Sequence, residues 1–240
     1  MTAIPRPAPL RGAGARHLLA LALAAGLVLA FAAVHAQWSP MHRWNRAFGD
    51  ASLVLVALAM ALGPLARLLR PASALMPLRR ETGIYACLLA LVHGVIILVG
   101  WVQFDLMRLF GFEFHPGLGR YVMVQPGFGL ANAIGILALL IAAVLALTSN
   151  DLSMRRLGSS AWKVIQMGVL PLWWLVVAHT AYFMFAHFLS FHRATPEPNP
   201  LRWAFVALVL AVLGLRGAAF LHTLRRSAAR VAPPPGPSAA

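Results

Sequence analysis

The sequence predicts an all-α membrane protein, a bundle of six transmembrane helices with both termini on the cytoplasmic side. Three observations carry this expectation. The 240-residue chain is 60% hydrophobic and only 11% charged, with a mean hydropathy of +0.77, far more apolar than a soluble domain requires. The apolar residues gather into six runs, each close to the ~20 residues that cross a bilayer. The basic residues that give the net charge of +14 fall mostly in alternate loops, as a sided membrane protein demands.

Residues 1–17 form a basic, proline-rich N-terminus with Arg6, Arg11 and Arg16. The first apolar run, 18–34, is rich in Ala and Leu and is about long enough, at ~1.5 Å per residue, to span a membrane core of ~30 Å. The Val34-His35-Ala36 step also has the small residues of a leader-cleavage site, so 18–36 reads either as a retained span or as a signal peptide. Residues 37–48 are polar with Trp38 and Trp44, an aqueous loop with interfacial tryptophans. The second span is 51–69, bent at Gly63-Pro64. Arg67, Arg70, Arg79 and Arg80 surround the turn before the third span, 83–102.

Residues 103–125 form a longer connection whose first part, FDLMRLFGFEF, is amphipathic and suited to the membrane interface. The fourth span is 127–147. A polar loop with Arg155 and Arg156 leads to the fifth, 162–188, which Pro171 should kink. A proline-rich turn, 192–200, precedes the sixth, 201–221. The six-helix domain thus covers 18–222, and 223–240 reads as a disordered cytoplasmic tail. The single cysteine, Cys87, lies inside a span and forms no intrachain disulfide.

With the N-terminus in the cytoplasm, fourteen of the twenty Lys and Arg residues lie inside and six outside. Topology therefore accounts for the basic balance, and no nucleic-acid partner is required.

The chemistry is carried by histidine. His93 stands near the middle of the third run and His179 well inside the fifth. An ionisable group within a membrane span marks a functional site by default. Both spans run from inside to outside, and the two residues lie ~16 and ~24 Å along them at ~1.5 Å per residue, equal depths within the uncertainty of helix boundaries and a kink. Facing histidines on two helices can hold a porphyrin between them, and bis-imidazole ligation of the haem iron suits electron transfer because no open position remains. The bland alternative is that each ring bonds a neighbouring helix. A zinc or copper transport site would gather more ligands than these spans offer beyond Cys87. His35, His42, His115 and His192 read as solvated outer residues, His17 and His222 as interfacial, and His187 as lying at the outer end of the fifth span.

At these residues the sequence resembles the ferric reductase-like transmembrane family, which includes haem-binding membrane subunits of periplasmic methionine sulfoxide reductase systems. The resemblance covers about 49–189. It rests on GDASLVLVALAMALGPLARLL, on RRETGIYACLLALVHG, on GILALLIAAVLALTSNDLSMRRLGSSAWKVIQ and on His179, in that order and spacing. It implies a haem-binding core with b-type haem between helices three and five and with His93 and His179 as axial ligands of its iron. Many members have a further histidine thirteen residues before the second ligand; here that position is Gln166. Two-haem members have an inner histidine on helix three, where this chain has the region of Arg79 and Arg80. The expectation is therefore one haem, not two, with Gln166 suited to hydrogen-bond a quinone, flavin or propionate at the cytoplasmic side.

Larger members append a flavin and nicotinamide module, for which the residues after span six leave no room. The resemblance thus implies a redox subunit of the bacterial inner membrane that depends on a separate electron donor, a cytoplasmic flavoprotein or a quinol. Its acceptor would lie outside, as a periplasmic redox protein or ferric iron. The competing reading is a haem-free membrane scaffold or metal transporter built on the same fold.

Overall fold

A computed structural model describes residues 12–187 and 199–231. The first eleven residues, the segment 188–198 with His192 and Arg193, and the tail 232–240 lie outside the described residues. The order of elements is α1 (Ala13–Val34), α2 (Pro40–Leu68), α3 (Leu78–Ile96), α4 (Leu106–Leu109), β1 (Phe112–His115), β2 (Arg120–Met123), α5 (Pro126–Thr148), α6 (Asp151–Leu157), α7 (Ser159–Gln166), α8 (Val169–Ala181) and α9 (Arg202–Val231). Among the described residues six helical stretches are long and apolar enough to cross a membrane, with α7 and α8 counting as one. The protein is a multi-pass, all-α membrane bundle.

Helix α2 is the axis of the bundle and packs against α1, α3 and α9. It starts at Pro40, a full three turns before the expected span. Proline is favoured at the first helical position, where its missing N–H is no loss, and the polar stretch that reads as a loop continues the same helix. Ala47, Ala51 and Leu55 on α2 are fully buried. Helix α1 lays Ala20, Ala24, Val28 and Ala32, one small side chain per turn, into this core. Small residues let membrane helices approach closely where lipid offers no hydrophobic drive. Ser52 ties α2 to α3 by donating to the Ala86 carbonyl, 2.8 Å. Leucines on the outer faces, such as Leu18, Leu140 and Leu147, are exposed and suit contact with lipid tails.

Pro171 kinks the fifth span as expected, and the break falls at Met167 and Gly168, between α7 and α8. Met167 is four residues before the proline, so its carbonyl loses the N–H it would have bonded one helical turn on and meets the pyrrolidine ring. The chain tightens there, with Gly168 N–H donating to Ile165 O and Leu170 N–H to Met167 O.

The connection 103–125 differs from its expectation. Helix α4 is one turn, capped by Asp105, whose carboxylate accepts from the Met107 and Arg108 amides. It leads into an antiparallel hairpin with Phe112 opposite Met123 and Phe114 opposite Tyr121. The Tyr121 hydroxyl donates to Asp105 at 3.1 Å, and this bond raises the phenol above its ordinary pKa. At the other end of the chain α9 persists to Val231, beyond the expected end of span six. Residues 223–230 (TLRRSAAR) contain neither Gly nor Pro, the residues that most oppose a helix.

Candidate functional site between α3 and α8

His93 comes from α3 and His179 from α8. The structure brings their rings together, with centroids 6.3 Å apart and planes at 90°. Each ring is held from behind in the same way. Nδ1 of His93 is 2.9 Å from the carbonyl of Asn45 on α2, and Nδ1 of His179 is 2.8 Å from the carbonyl of Ala131 on α5; both pairs are 48 residues apart. A carbonyl only accepts, so each Nδ1 carries the proton and donates it. The lone pair is left on Nε2, the arrangement found when imidazole serves as a metal ligand and its other nitrogen is anchored.

One turn beyond each carbonyl stands a glycine. A Cβ on Gly49 would lie 3.1 Å from the His93 ring, and one on Gly135 would lie 2.7 Å from the His179 ring. Both helices thus give up a side chain to admit an imidazole. Each histidine is followed within about a turn by a π-helical stretch, Ile97–Trp101 after His93 and Tyr182–Ala186 after His179. Such stretches widen the helix locally and recur at functional sites. These two carbonyls and two glycines escape a reading for chemical side chains. The equal spacing of glycine and histidine in the two halves is the signal that could have found them.

Both rings border one continuous cavity of about 1440 Å³, above the ~300–1,000 Å³ of sites for small ligands. Trp38, His42 and Arg46 line one end, and Arg79, Lys163 and Gln166 the other. Metal–imidazole bonds are about 2.0–2.1 Å long, and the ring centre lies about 1 Å behind the bonding nitrogen. Two imidazoles on opposite sides of one metal ion therefore have ring centres about 6 Å apart, as these do. Among the described residues no group of three or more His, Cys, Asp or Glu side chains converges. Two nitrogens in a wide apolar cavity fit a flat macrocycle that supplies the remaining ligands itself.

The other expected residues separate. Gln166 borders the far end of the cavity, where its amide nitrogen lies 3.1 Å from Thr148 Oγ1 and 3.4 Å from the Leu145 carbonyl. Trp162 donates to the Thr148 carbonyl at 2.9 Å. These two side chains satisfy the C-terminal end of α5. Arg80 is spent on the Ser149 carbonyl and on Asp151. The two tryptophans about a turn before His179 lie elsewhere: Trp173 is fully buried in the core and Trp174 is exposed, and neither borders the cavity. His35 departs from expectation. Rather than being solvated, it is fully buried and bonds Asp50 at 2.7 Å, tying the end of α1 to α2.

Comparison with known proteins follows the same core. The family model for the ferric reductase like transmembrane component matches residues 48–177, a stretch that takes in Gly49, His93 and Gly135. The chain is 28% identical over 193 residues to the protein-methionine-sulfoxide reductase heme-binding subunits MsrQ of Bordetella parapertussis and Bordetella bronchiseptica, covering 80% of this chain and 81% of each relative. The Bordetella pertussis protein of the same name matches to the same extent. No solved structure gives a significant match.

Proposed function

The chain belongs to the ferric reductase like transmembrane component family, and we propose that it is a haem b-binding electron-transfer subunit of the bacterial inner membrane with His93 and His179 as the axial ligands. The observation that carries this reading is the pair of carbonyl-anchored imidazoles, 6.3 Å apart across an apolar cavity. The relatives' name as heme-binding subunits supports it. Bound there between the two Nε2 atoms, haem would supply a one-electron redox centre.

The protein's own part is to hold and insulate. The Asn45 and Ala131 carbonyls fix the tautomer and azimuth of the two rings and raise the basicity of each Nε2. Gly49 and Gly135 set how far α2 and α5 stand from the rings. The apolar cavity wall limits water, which bears on redox potential. The excess of basic residues at the loops of one side supports a topology with both termini in the cytoplasm. Electrons then enter from a flavoprotein or quinol at the end lined by Arg79, Lys163 and Gln166. They leave at the outer end to a periplasmic partner, a methionine sulfoxide reductase of the kind the relatives' name implies, or to ferric iron.

The test is a dithionite-reduced minus oxidised spectrum of the detergent-purified protein, with haem quantified per chain. The expected result is one b-type haem, lost in His93→Ala and in His179→Ala. Colourless protein from haem-replete cells would leave the scaffold or transporter reading in its place. Full haem in both single variants would remove these histidines as ligands.

A further inference from the structure

At the outer end of the cavity Arg46 is in no ion pair among the described residues, and the Asp50 carboxylate acts on its charge only from a distance. Arg46 follows Asn45, whose carbonyl holds His93. Its guanidinium lies over the Trp38 ring, 3.9 Å from the centroid. The ion pairs among the described residues are Arg16–Glu81, His35–Asp50 and Arg80–Asp151, so Arg46 is in none of them. Asp50, one turn along α2, is bonded to His35 instead. The Trp38 indole N–H is buried and has no acceptor. Both residues line the cavity that His93 and His179 border, as does His42, whose ring is edge-on to Trp101 at 4.9 Å.

A guanidinium within a membrane bundle is costly unless it finds an anion. Its planar fork matches a carboxylate through two parallel hydrogen bonds, and the indole N–H is a donor only. Stacking on Trp38 fixes the plane of the fork while leaving its edge free to bind. Donors of this kind, side by side on a cavity wall next to the residue whose carbonyl anchors a proposed axial ligand, call for an acceptor brought in by the occupant.

We propose that Arg46 and Trp38 form a carboxylate clamp that takes a propionate of the porphyrin and so fixes which edge of the macrocycle faces the outer side. The clamp rests on the haem reading of the preceding subsection. It places the acidic edge at the outer mouth rather than among Arg79, Arg80 and Lys163.

The full-length chain, purified in detergent from haem-depleted cells, is titrated with iron protoporphyrin IX and with its dimethyl ester, following Soret absorbance. The wild type should bind the diacid about tenfold or more tightly than the diester, the range of a charge-assisted hydrogen bond. Arg46→Gln should weaken the diacid to the level of the diester and leave the diester unchanged; Arg46→Lys should keep part of the preference. Equal affinity of the wild type for both porphyrins, or equal weakening of both by Arg46→Gln, would overturn the clamp and leave the axial ligation standing. A lipid phosphate as the true anion would show as that same equality. No Soret change with either porphyrin would overturn the ligation, and the clamp with it.

Discussion

The hairpin α2–α3 and the hairpin α5–α8 build the same half-site in different surroundings. In both, a carbonyl 48 residues before the histidine holds its Nδ1, a glycine one turn further admits its ring, and a π-helical stretch follows. In the first hairpin the supporting helix is enclosed by α1 and α9. In the second it borders lipid, with Leu130, Leu140 and Leu147 exposed. The first half-site is therefore positioned by the protein around it. The second depends chiefly on the fit of α5 to α8, with α3 and the short α4 beside it, and there the glycine is the tighter one, 2.7 against 3.1 Å.

That contrast can be broken most forcefully through α1. Arg16 on α1 bonds Glu81 on α3 at 2.7 Å, with the Glu81 side chain 1% exposed. Removing one partner of a buried pair strands the other charge, at a cost of ~3–5 kcal/mol. Arg16→Ala should lower the thermal midpoint of the purified protein strongly, and Glu81→Gln in the same chain should recover much of the loss. A thermal midpoint unmoved by Arg16→Ala would mean that α1 does not position the first hairpin.

The next effect is on the glycines. Gly135→Ala pushes a methyl group into a ring that the Ala131 carbonyl holds in place, and overpacking costs ~1–3 kcal/mol. Haem content should fall, and the spectrum of the remaining haem should change as the His179 ring turns. Gly49→Ala meets its ring at an approach that a few tenths of an ångström relieves, so it should retain most of its haem. Equal losses in the two variants would erase the distinction between the enclosed and the open half-site.

What could be read from the sequence follows the nature of each signal. His93 and His179 announce themselves because an imidazole inside an apolar run is costly, and Pro171 because its ring has only one consequence in a helix. The acceptors of the two Nδ1 protons are backbone carbonyls, which every residue has, so Asn45 and Ala131 carry no mark. The start of α2 at Pro40 is hidden in the sequence because its first three turns are polar, although His42, Asn45, Arg46 and Asp50 on them line the cavity. His35 reads as a loop residue because its partner Asp50 is fifteen positions away and neither residue alone points to the other. The hairpin of β1 and β2 has strands of four residues, too short for alternation to stand out from an amphipathic turn.

Gln166 offers a smaller test, of the open hairpin's end far from Arg46. Its contacts with Thr148 and Leu145 give it a structural role, and a neutral hydrogen bond contributes ~0.5–1.5 kcal/mol. Gln166→Ala should lower the thermal midpoint slightly and leave haem content and the rate of reduction by the donor unchanged. Slowed reduction at unchanged stability would instead assign Gln166 to the donor site.

The smallest effect is expected where the two hairpins touch at their exposed ends. Arg80 on α3 meets Asp151 on α6 at 2.9 Å, with side chains 37% and 72% exposed. A pair so open to solvent is screened and contributes ~0–1 kcal/mol. Asp151→Asn should therefore be nearly silent in stability and in haem content, because Arg80 keeps the Ser149 carbonyl and α3 still packs against α5. If instead haem is lost in Asp151→Asn, the relative placement of α3 and α8 is set at the surface loop. The two half-sites would then be held in register by their connection rather than by the carbonyl and glycine behind each ring.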